Sequence, residues 1–585
     1  MEQMAISKVT IDAFIKELSK GSNAPEFLYP CSDNDDYARD RKVFNRRFNF
    51  MPALIMQPKT AQHVATAVAF AQKHTMPFTV KSGGHDHEGE CVATGKVLID
   101  FKLMKQVCID VGMTKLGTTS AQQIRIQPGA RFEDIKPVLD AAKLAIAHGT
   151  CKTVAIAGYT MGGGWGPWTR KYGMGCERLS GATMIIGDGS IRYLGSSADI
   201  NKQAKKEGDD ELLIALRGGG GLSYGIVTEF YFIPINLPKI AVSFSIKHDT
   251  FKNDKIKVLE NLKAVTVIEA WEKLISPGVD GDNEENLIGT NLQLMSSAVK
   301  DKQSINKNVI LPWTFNGHFA GSVDELELMF NRWGRYLKGL IDKDKQYSPL
   351  EKKLMKAELQ LAIDKFILKQ LVIVTVFDIA TVIGKQIHYP LQFDVWDRMH
   401  GGLSLEDDKP TPHKITSKMA SSDWDDRSRN QLVCSLQSTL LDVEAKTNID
   451  AYVTLGAISG QYYFHKNNPL NTDPNVAVSF PYQHSLFTIQ YQAWWDQPDS
   501  YPGETPQKQA QRMLASRCWE NRAQDWIANC RNNQIDKTCG SFISFKDASI
   551  PTEDYFGDNY NLLKNTKEQF SLDTKNLFRS RKTII

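Results

Sequence analysis

An α+β fold in two unequal parts is predicted by three features of the sequence. Over residues 53–142, short apolar β-prone runs alternate with helical periodicity, and the runs end in glycine-rich loops. After about residue 240 the texture changes to alternating strands interleaved with charged helical stretches. From about residue 541 the chain returns to the loop-rich, Gly- and Asn-containing style of its first part.

The elements follow in order. Ala53–Met56 is apolar and β-prone, Pro58 breaks it, and Thr60 is placed to cap a helix with Val64, Ala67, Val68 and Ala71 on one face. Pro77 ends that helix, and Phe78-Thr79-Val80 runs directly into Ser82-Gly83-Gly84-His85. The same logic repeats with Ile124–Ile126, a Pro128-Gly129 turn and a helix carrying Phe132, Ile135, Val138, Leu139 and Ala142. Further on, Val242, Phe244 and Ile246 alternate as a half-buried strand does. Residues 350–369, LEKKLMKAELQLAIDKFILK, place apolar side chains at three-to-four spacing. These patterns predict an antiparallel sheet covered on one face by helices. Tryptophan and tyrosine accumulate late, at Tyr462-Tyr463, Tyr491, Trp494-Trp495 and Trp519.

Composition bounds the function. The chain has 585 residues, 70 Lys plus Arg against 67 Asp plus Glu, and a formal charge of +3, too small an excess for a nucleic-acid or anionic-membrane surface. Hydrophobic residues at 42% and charged residues at 23% are globular values, which excludes disorder and collagen. The apolar run Leu371–Phe377 lies between Lys369 and Asp378, far short of the ~20 residues of a membrane helix. The first twenty residues hold no apolar h-region, and the nine cysteines are odd in number without CxxC spacing. The expectation is a reduced, cytoplasmic protein without a metal site.

Three glycine clusters stand out: Ser82-Gly83-Gly84-His85, Gly162-Gly163-Gly164-Trp165-Gly166 and Arg217-Gly218-Gly219-Gly220-Gly221. Without a Cβ, such loops let backbone amides approach a phosphate, although a tight turn would want the same residues. Neither the P-loop nor the dinucleotide fingerprint is present. The order and company of the clusters say more. SGGHDHEG carries His85, GTCKTVAIAGYTMGGGWG carries Cys151, and RKYGMGCERL, IIGDGS and ALRGGGGLSYGIVTEF follow, with DYFGDNYNLL and NLF near the C-terminus.

In this motif set the chain resembles the berberine bridge enzyme-like branch of the FAD-linked oxidases with the vanillyl-alcohol-oxidase fold, from about Tyr37 to about Phe578. The resemblance implies a FAD-binding domain over 1–240 completed by 541–585, and a substrate-binding domain over 241–540. It implies FAD held covalently at its 8α-methyl by His85 and at C6 by Cys151, with His87 the rival of His85. An imidazole nitrogen and a thiolate are nucleophiles suited to such bonds. Ser82, Gly83, Gly84, Gly163, Gly164, Ile226 and Asn559 are implied as further cofactor contacts. Val154 corresponds to the family's oxygen-gating position, where valine resembles the oxidases, and Trp165 to an aromatic lining the flavin cleft. A small-molecule substrate and O2 are the expected partners, with the chain a monomer or homodimer.

Two positions depart from the family pattern. Hydride transfer from an alcohol needs a base for the hydroxyl proton. The family's late tyrosine is replaced here by Phe545 in Ser544-Phe545-Lys546-Asp547, and its strand glutamate by Gln490 in Ile489-Gln490-Tyr491. Phenylalanine cannot titrate, and an amide orients a substrate without taking its proton. Period-two alternation puts Gln490 on one strand face with Thr488 and Gln492. Asp547, His484, Tyr159 and Tyr555 are substitute bases, each with a structural role as the alternative. The expected function is an oxidase that moves hydride from an alcohol, sugar or secondary metabolite to flavin N5 and releases H2O2. A redox-neutral cyclase and a non-catalytic flavin-holding protein are the alternatives.

Overall fold

The computed structural model describes residues 6–21, 23–31, 35–110, 123–236, 242–276, 288–321, 323–382, 410–441, 449–460, 463, 477–495 and 505–585. Two small sheets build the first part. In one, Leu54–Gln57, Val97–Asp100 and Phe78–Lys81 run parallel, and Glu26–Leu28 pairs antiparallel at the edge. The helix Ala61–His74 begins where the Thr60 hydroxyl accepts from His63 N, and ends at Thr75 in the left-handed region. Its Val64, Ala67, Val68 and Ala71 are buried with Leu54, Met56 and Phe78, so the periodic face of the sequence is the packed face.

The second sheet is antiparallel and five-stranded, in the spatial order Val107–Asp110, Gln123–Ile126, Ile226–Phe232, Leu179–Ile185, Ile191–Gly195. The helix Phe132–Ala141 buries Phe132, Ile135 and Leu139 against it, while Val138 is exposed.

A third, seven-stranded antiparallel sheet contains Val242–Lys247, Trp313–Phe319, Ile288–Met295, Ile449–Ala457, Phe487–Trp495, His413–Ala420 and Thr538–Cys539 in that order. Strict alternation divides its two faces. From Phe487–Trp495, the side chains of Phe487, Ile489, Tyr491, Ala493 and Trp495 enter an apolar core shared with the helices Ala264–Ile275, Val323–Lys343, Asp426–Ser435 and Pro506–Asn532. Tyr491 is bound there through its hydroxyl to Ser435 Oγ at 2.6 Å. The run Leu371–Phe377 lies within the helix Pro349–Val382. Among the described residues no helix is long and apolar enough to cross a membrane, and none of the nine cysteines is held in a disulfide.

The segment after the sheet returns to the first part. Helix Tyr560–Phe570 buries Leu563 beside Leu212 and Leu216, and Phe578 packs edge-on to Phe78 with ring centroids 6.0 Å apart.

Candidate active site

Between the first part and the uncovered face of the seven-stranded sheet lies a cleft with a cavity volume of about 430 Å³. The Ser82–His85 loop forms one wall. A Cβ on Gly83 would stand 2.8 Å from Ala155 N and 3.1 Å from Thr153 O, so only glycine lets this loop close onto the backbone just after Cys151. His85 Nε2 then meets Thr153 Oγ1 at 2.7 Å, and its ring stacks on Phe44 with centroids 4.1 Å apart. His85 and Cys151, far apart in sequence, thus border one cavity from two loops in contact.

Ser82, Gly84, Val154, Trp165, Ile226 and Gln490 also line the cleft. Ser82 is anchored by its hydroxyl to the Pro128 carbonyl. Gly456 makes room for Trp165: a Cβ there would lie 2.9 Å from the indole and 2.9 Å from Thr488 Oγ1. The indole Nε1 donates to Ala457 O at 2.8 Å. Cys91 borders the same space, but burial pushes its thiol up to about 12, so it stays protonated.

The sheet wall is rich in amides. Asn291, Gln293, Asn316, Thr454, Gln490 and Gln492 face the cleft with Tyr452 and Trp494. Asn316 Nδ2 donates to Asn291 Oδ1 at 2.9 Å. Gln492 Oε1 accepts from the Tyr452 hydroxyl at 3.1 Å and from Trp494 Nε1 at 3.0 Å, while Gln492 Nε2 donates to Thr454 Oγ1 at 3.2 Å. Several donors and acceptors are thus held in fixed orientation by one another. Thr488, grouped with Gln490 and Gln492 by alternation, abuts Gly456 and Trp165 instead of the cavity.

Other sequence candidates lie elsewhere. Asp547 is fully buried and does not line the cleft. Its carboxylate accepts from Lys414 Nζ at 2.8 Å and Arg531 Nη1 at 2.7 Å. Burial alone would raise its pKa, but Lys414 and its hydrogen bonds hold it below the usual carboxylate value. Tyr555 is buried beside it: its hydroxyl accepts from Asp547 N and donates to Asp547 O, both at 2.8 Å, and burial raises its pKa. His484 is exposed outside the cleft. Asn559 donates to Ser479 O at 3.1 Å, away from the cavity. Gly163 and Gly164, at φ +109° and +83°, shape the turn before Trp165 without lining the cleft. Tyr159 does line it, but its hydroxyl donates to Gly164 O at 2.8 Å and burial raises its pKa well above the ordinary value. Phe545 borders the cleft as a purely apolar face. Of the late aromatics, Trp494 faces the cavity, Tyr491 and Trp495 the helix-covered core, and Tyr463 binds Glu177 Oε1 at 3.0 Å. Tyr462 lies outside the described residues.

Sequence reasoning did not find the ionic clasp between the wall elements. Lys546 Nζ donates to Asp86 Oδ2 at 2.6 Å and reaches Glu90 Oε2 at 3.4 Å. Burial pulls the lysine pKa down, but these two carboxylates lift it above the ordinary value. Alongside, Lys414 bridges Glu88 and Asp547. The only local signal was the density of charge in DHEGE.

Residues 52–195, which carry the glycine-built wall of this cleft, match the FAD binding domain. Residues 541–585 match the domain described as berberine and berberine like. In these two regions the chain resembles the berberine bridge enzyme-like FAD-linked proteins. It is similar to the glucooligosaccharide oxidase of Sarocladium strictum, 29% identical over 37% of this chain and 40% of that protein. Berberine bridge enzyme-like 8 of Arabidopsis thaliana is 25% identical over 56% of this chain and 58% of that protein. The chain therefore spans only about 40–58% of the length of these curated relatives. A solved glucooligosaccharide oxidase from Acremonium strictum, described with a 6-S-cysteinyl, 8α-N1-histidyl FAD, shares the fold at TM-score 0.64. There the match is 18% identical and covers 98% of this chain and 99% of that one.

Proposed function

We propose that this protein is an FAD-dependent oxidase whose flavin is joined to His85 and Cys151, and that it oxidises a hydroxyl of a sugar or other polar alcohol with O2 as acceptor. One observation carries the reading: an imidazole and a thiol from separate loops border the same cavity, and those loops are locked together by the Gly83 contact and the His85–Thr153 hydrogen bond. Bound FAD would supply a two-electron acceptor that takes hydride from carbon and is reoxidised by oxygen.

The protein's own residues fit that group and its substrate. Gly83, Gly84, Gly149, Gly158 and Gly162 open one side of the cleft to close backbone approach, and Ile226 and Val154 give it apolar surface. Opposite, the amides of Asn291, Gln293, Gln490 and Gln492 can orient several hydroxyls, while Trp494 and Tyr452 offer flat faces for a ring. Names of relatives such as glucooligosaccharide and chitooligosaccharide oxidase support a carbohydrate-like substrate. The test is anaerobic mixing with a panel of sugars and alcohols. Bleaching of bound flavin, followed by hydrogen peroxide on admitting air, is expected. Product without peroxide or oxygen uptake would favour redox-neutral chemistry instead.

A further inference from the structure

We propose that His87 is the base of this site, its Nε2 accepting the substrate's hydroxyl proton, with His413 fixing the tautomer that makes this acceptance available. The proposal deepens the oxidase reading and rests on it. Among the described residues, most titratable groups bordering the cleft are already engaged. The Tyr159 and Tyr452 hydroxyls donate to Gly164 O and Gln492 Oε1. Asp86 and Glu90 are paired with Lys546. His85 and Cys151 are assigned to the flavin.

His87 differs. Its Nδ1 lies 2.9 Å from His413 Nε2, and His413 Nδ1 lies 2.9 Å from the Thr411 carbonyl. A carbonyl oxygen only accepts, so His413 Nδ1 carries a proton. His413 is 0% exposed, and burial among other basic groups, His87 first, depresses its pKa well below the ordinary value, so its Nε2 is bare. That nitrogen then accepts from His87 Nδ1–H. A neutral His87 is left with its lone pair on Nε2. This atom makes no hydrogen bond among the described residues, and His87 lines the cavity. A buried partner commonly selects an imidazole tautomer in this way.

Position supports the assignment. The His87 ring lies 6.3 Å from that of Phe545, which borders the same cleft. His413 is itself held rigidly: Asn45 exchanges hydrogen bonds with its backbone, and Trp494 lies against its ring with centroids 4.1 Å apart. The groups facing His87 are Asp86, which favours its protonated form, and Lys546 and Lys414, which oppose it. With burial dominant, its pKa falls to about 4, so the neutral form is the resting one.

The step balances. The substrate C–H bond breaks with its electron pair, and hydride passes to the flavin as oxidant. The O–H bond breaks toward His87 Nε2, the carbon becomes a carbonyl, and the imidazolium later returns its proton to solvent beside Asp86.

Two measurements decide it. In the flavin-loaded protein with 15N-labelled histidine, the His87 signals, identified by their loss in His87→Gln, should show a protonated Nδ1 and a bare Nε2 at neutral pH, titrating near pH 4. A proton on Nε2 would overturn the proposal. Anaerobic bleaching should be slowed on the order of 100-fold or more in His87→Gln, with flavin retained. Wild-type bleaching should fall off below about pH 4 as the base is protonated. Wild-type rates in His87→Gln would refute the role of His87 while leaving the oxidase reading intact. Absence of bound flavin from the unaltered protein would instead refute that reading. Should His87→Gln lose its flavin, the wild-type tautomer and pH profile still decide whether His87 is the base. His413→Leu, as a positioning variant, should both release the His87 tautomer and slow bleaching; a slowed rate with unchanged tautomer signals would contradict its role.

Discussion

Replacing Asp547 by Asn separates two roles for this residue, clamp and base. The carboxylate is fully buried between Lys414, 7% exposed, and Arg531, 22% exposed, at 2.8 and 2.7 Å. Breaking a buried pair by removing one partner costs ~3–5 kcal/mol, because the remaining charges stay desolvated. Asparagine keeps an acceptor for Ser549 N, and Lys414 keeps Glu88, so the lower end applies. A loss of about 3 kcal/mol, at ~2 °C per kcal/mol for a large domain, lowers the thermal midpoint by about 6 °C. The pH sign follows from the lowered folded pKa. The contribution is full above the unfolded value near 4 and is lost as pH falls through the folded value below it, so variant and wild type should converge in acid. Thermal scans by near-UV circular dichroism at neutral and acid pH read the midpoint, and anaerobic bleaching at 25 °C reads the chemistry. A clamp gives a lower midpoint with bleaching within a few-fold of wild type. An unchanged midpoint with bleaching slowed 100-fold would refute the argument and restore Asp547 as a base.

The other expectations are briefer. Gly456→Ala should push Trp165 off the Ala457 carbonyl and destabilise the protein by about 1–3 kcal/mol, visible as a shift in tryptophan fluorescence and a lower midpoint. Gln490→Ala should raise KM more than it lowers kcat if its amide, which lines the cleft, orients the substrate without moving its proton; steady-state oxygen uptake checks this. Reductant should leave the thermal midpoint unchanged, since none of the nine cysteines is held in a disulfide.

Local patterning carried much of the fold. Thr60 caps the helix its position suggested, and the 487–495 alternation divides core from cleft as period two requires. Gln490 faces the cavity for the same reason. What local pattern cannot carry is long-range pairing. His87 meets His413 across 326 residues and Lys546 meets Asp86 across 460, and nothing in either segment alone names its partner. Asp547 and Tyr555 illustrate the converse. Their residue types suited catalysis, but burial and the cations around Asp547 turned them to structure. Asn559 likewise binds a neighbouring loop instead of the cleft.

The most direct test of the account is the intact mass of acid-denatured protein. The unaltered chain, His85→Ala and Cys151→Ala should each retain one FAD, and the double variant should release it. A wild-type chain that emerges at its bare polypeptide mass, or a double variant that keeps the added mass, would contradict the convergence of these two side chains on one flavin.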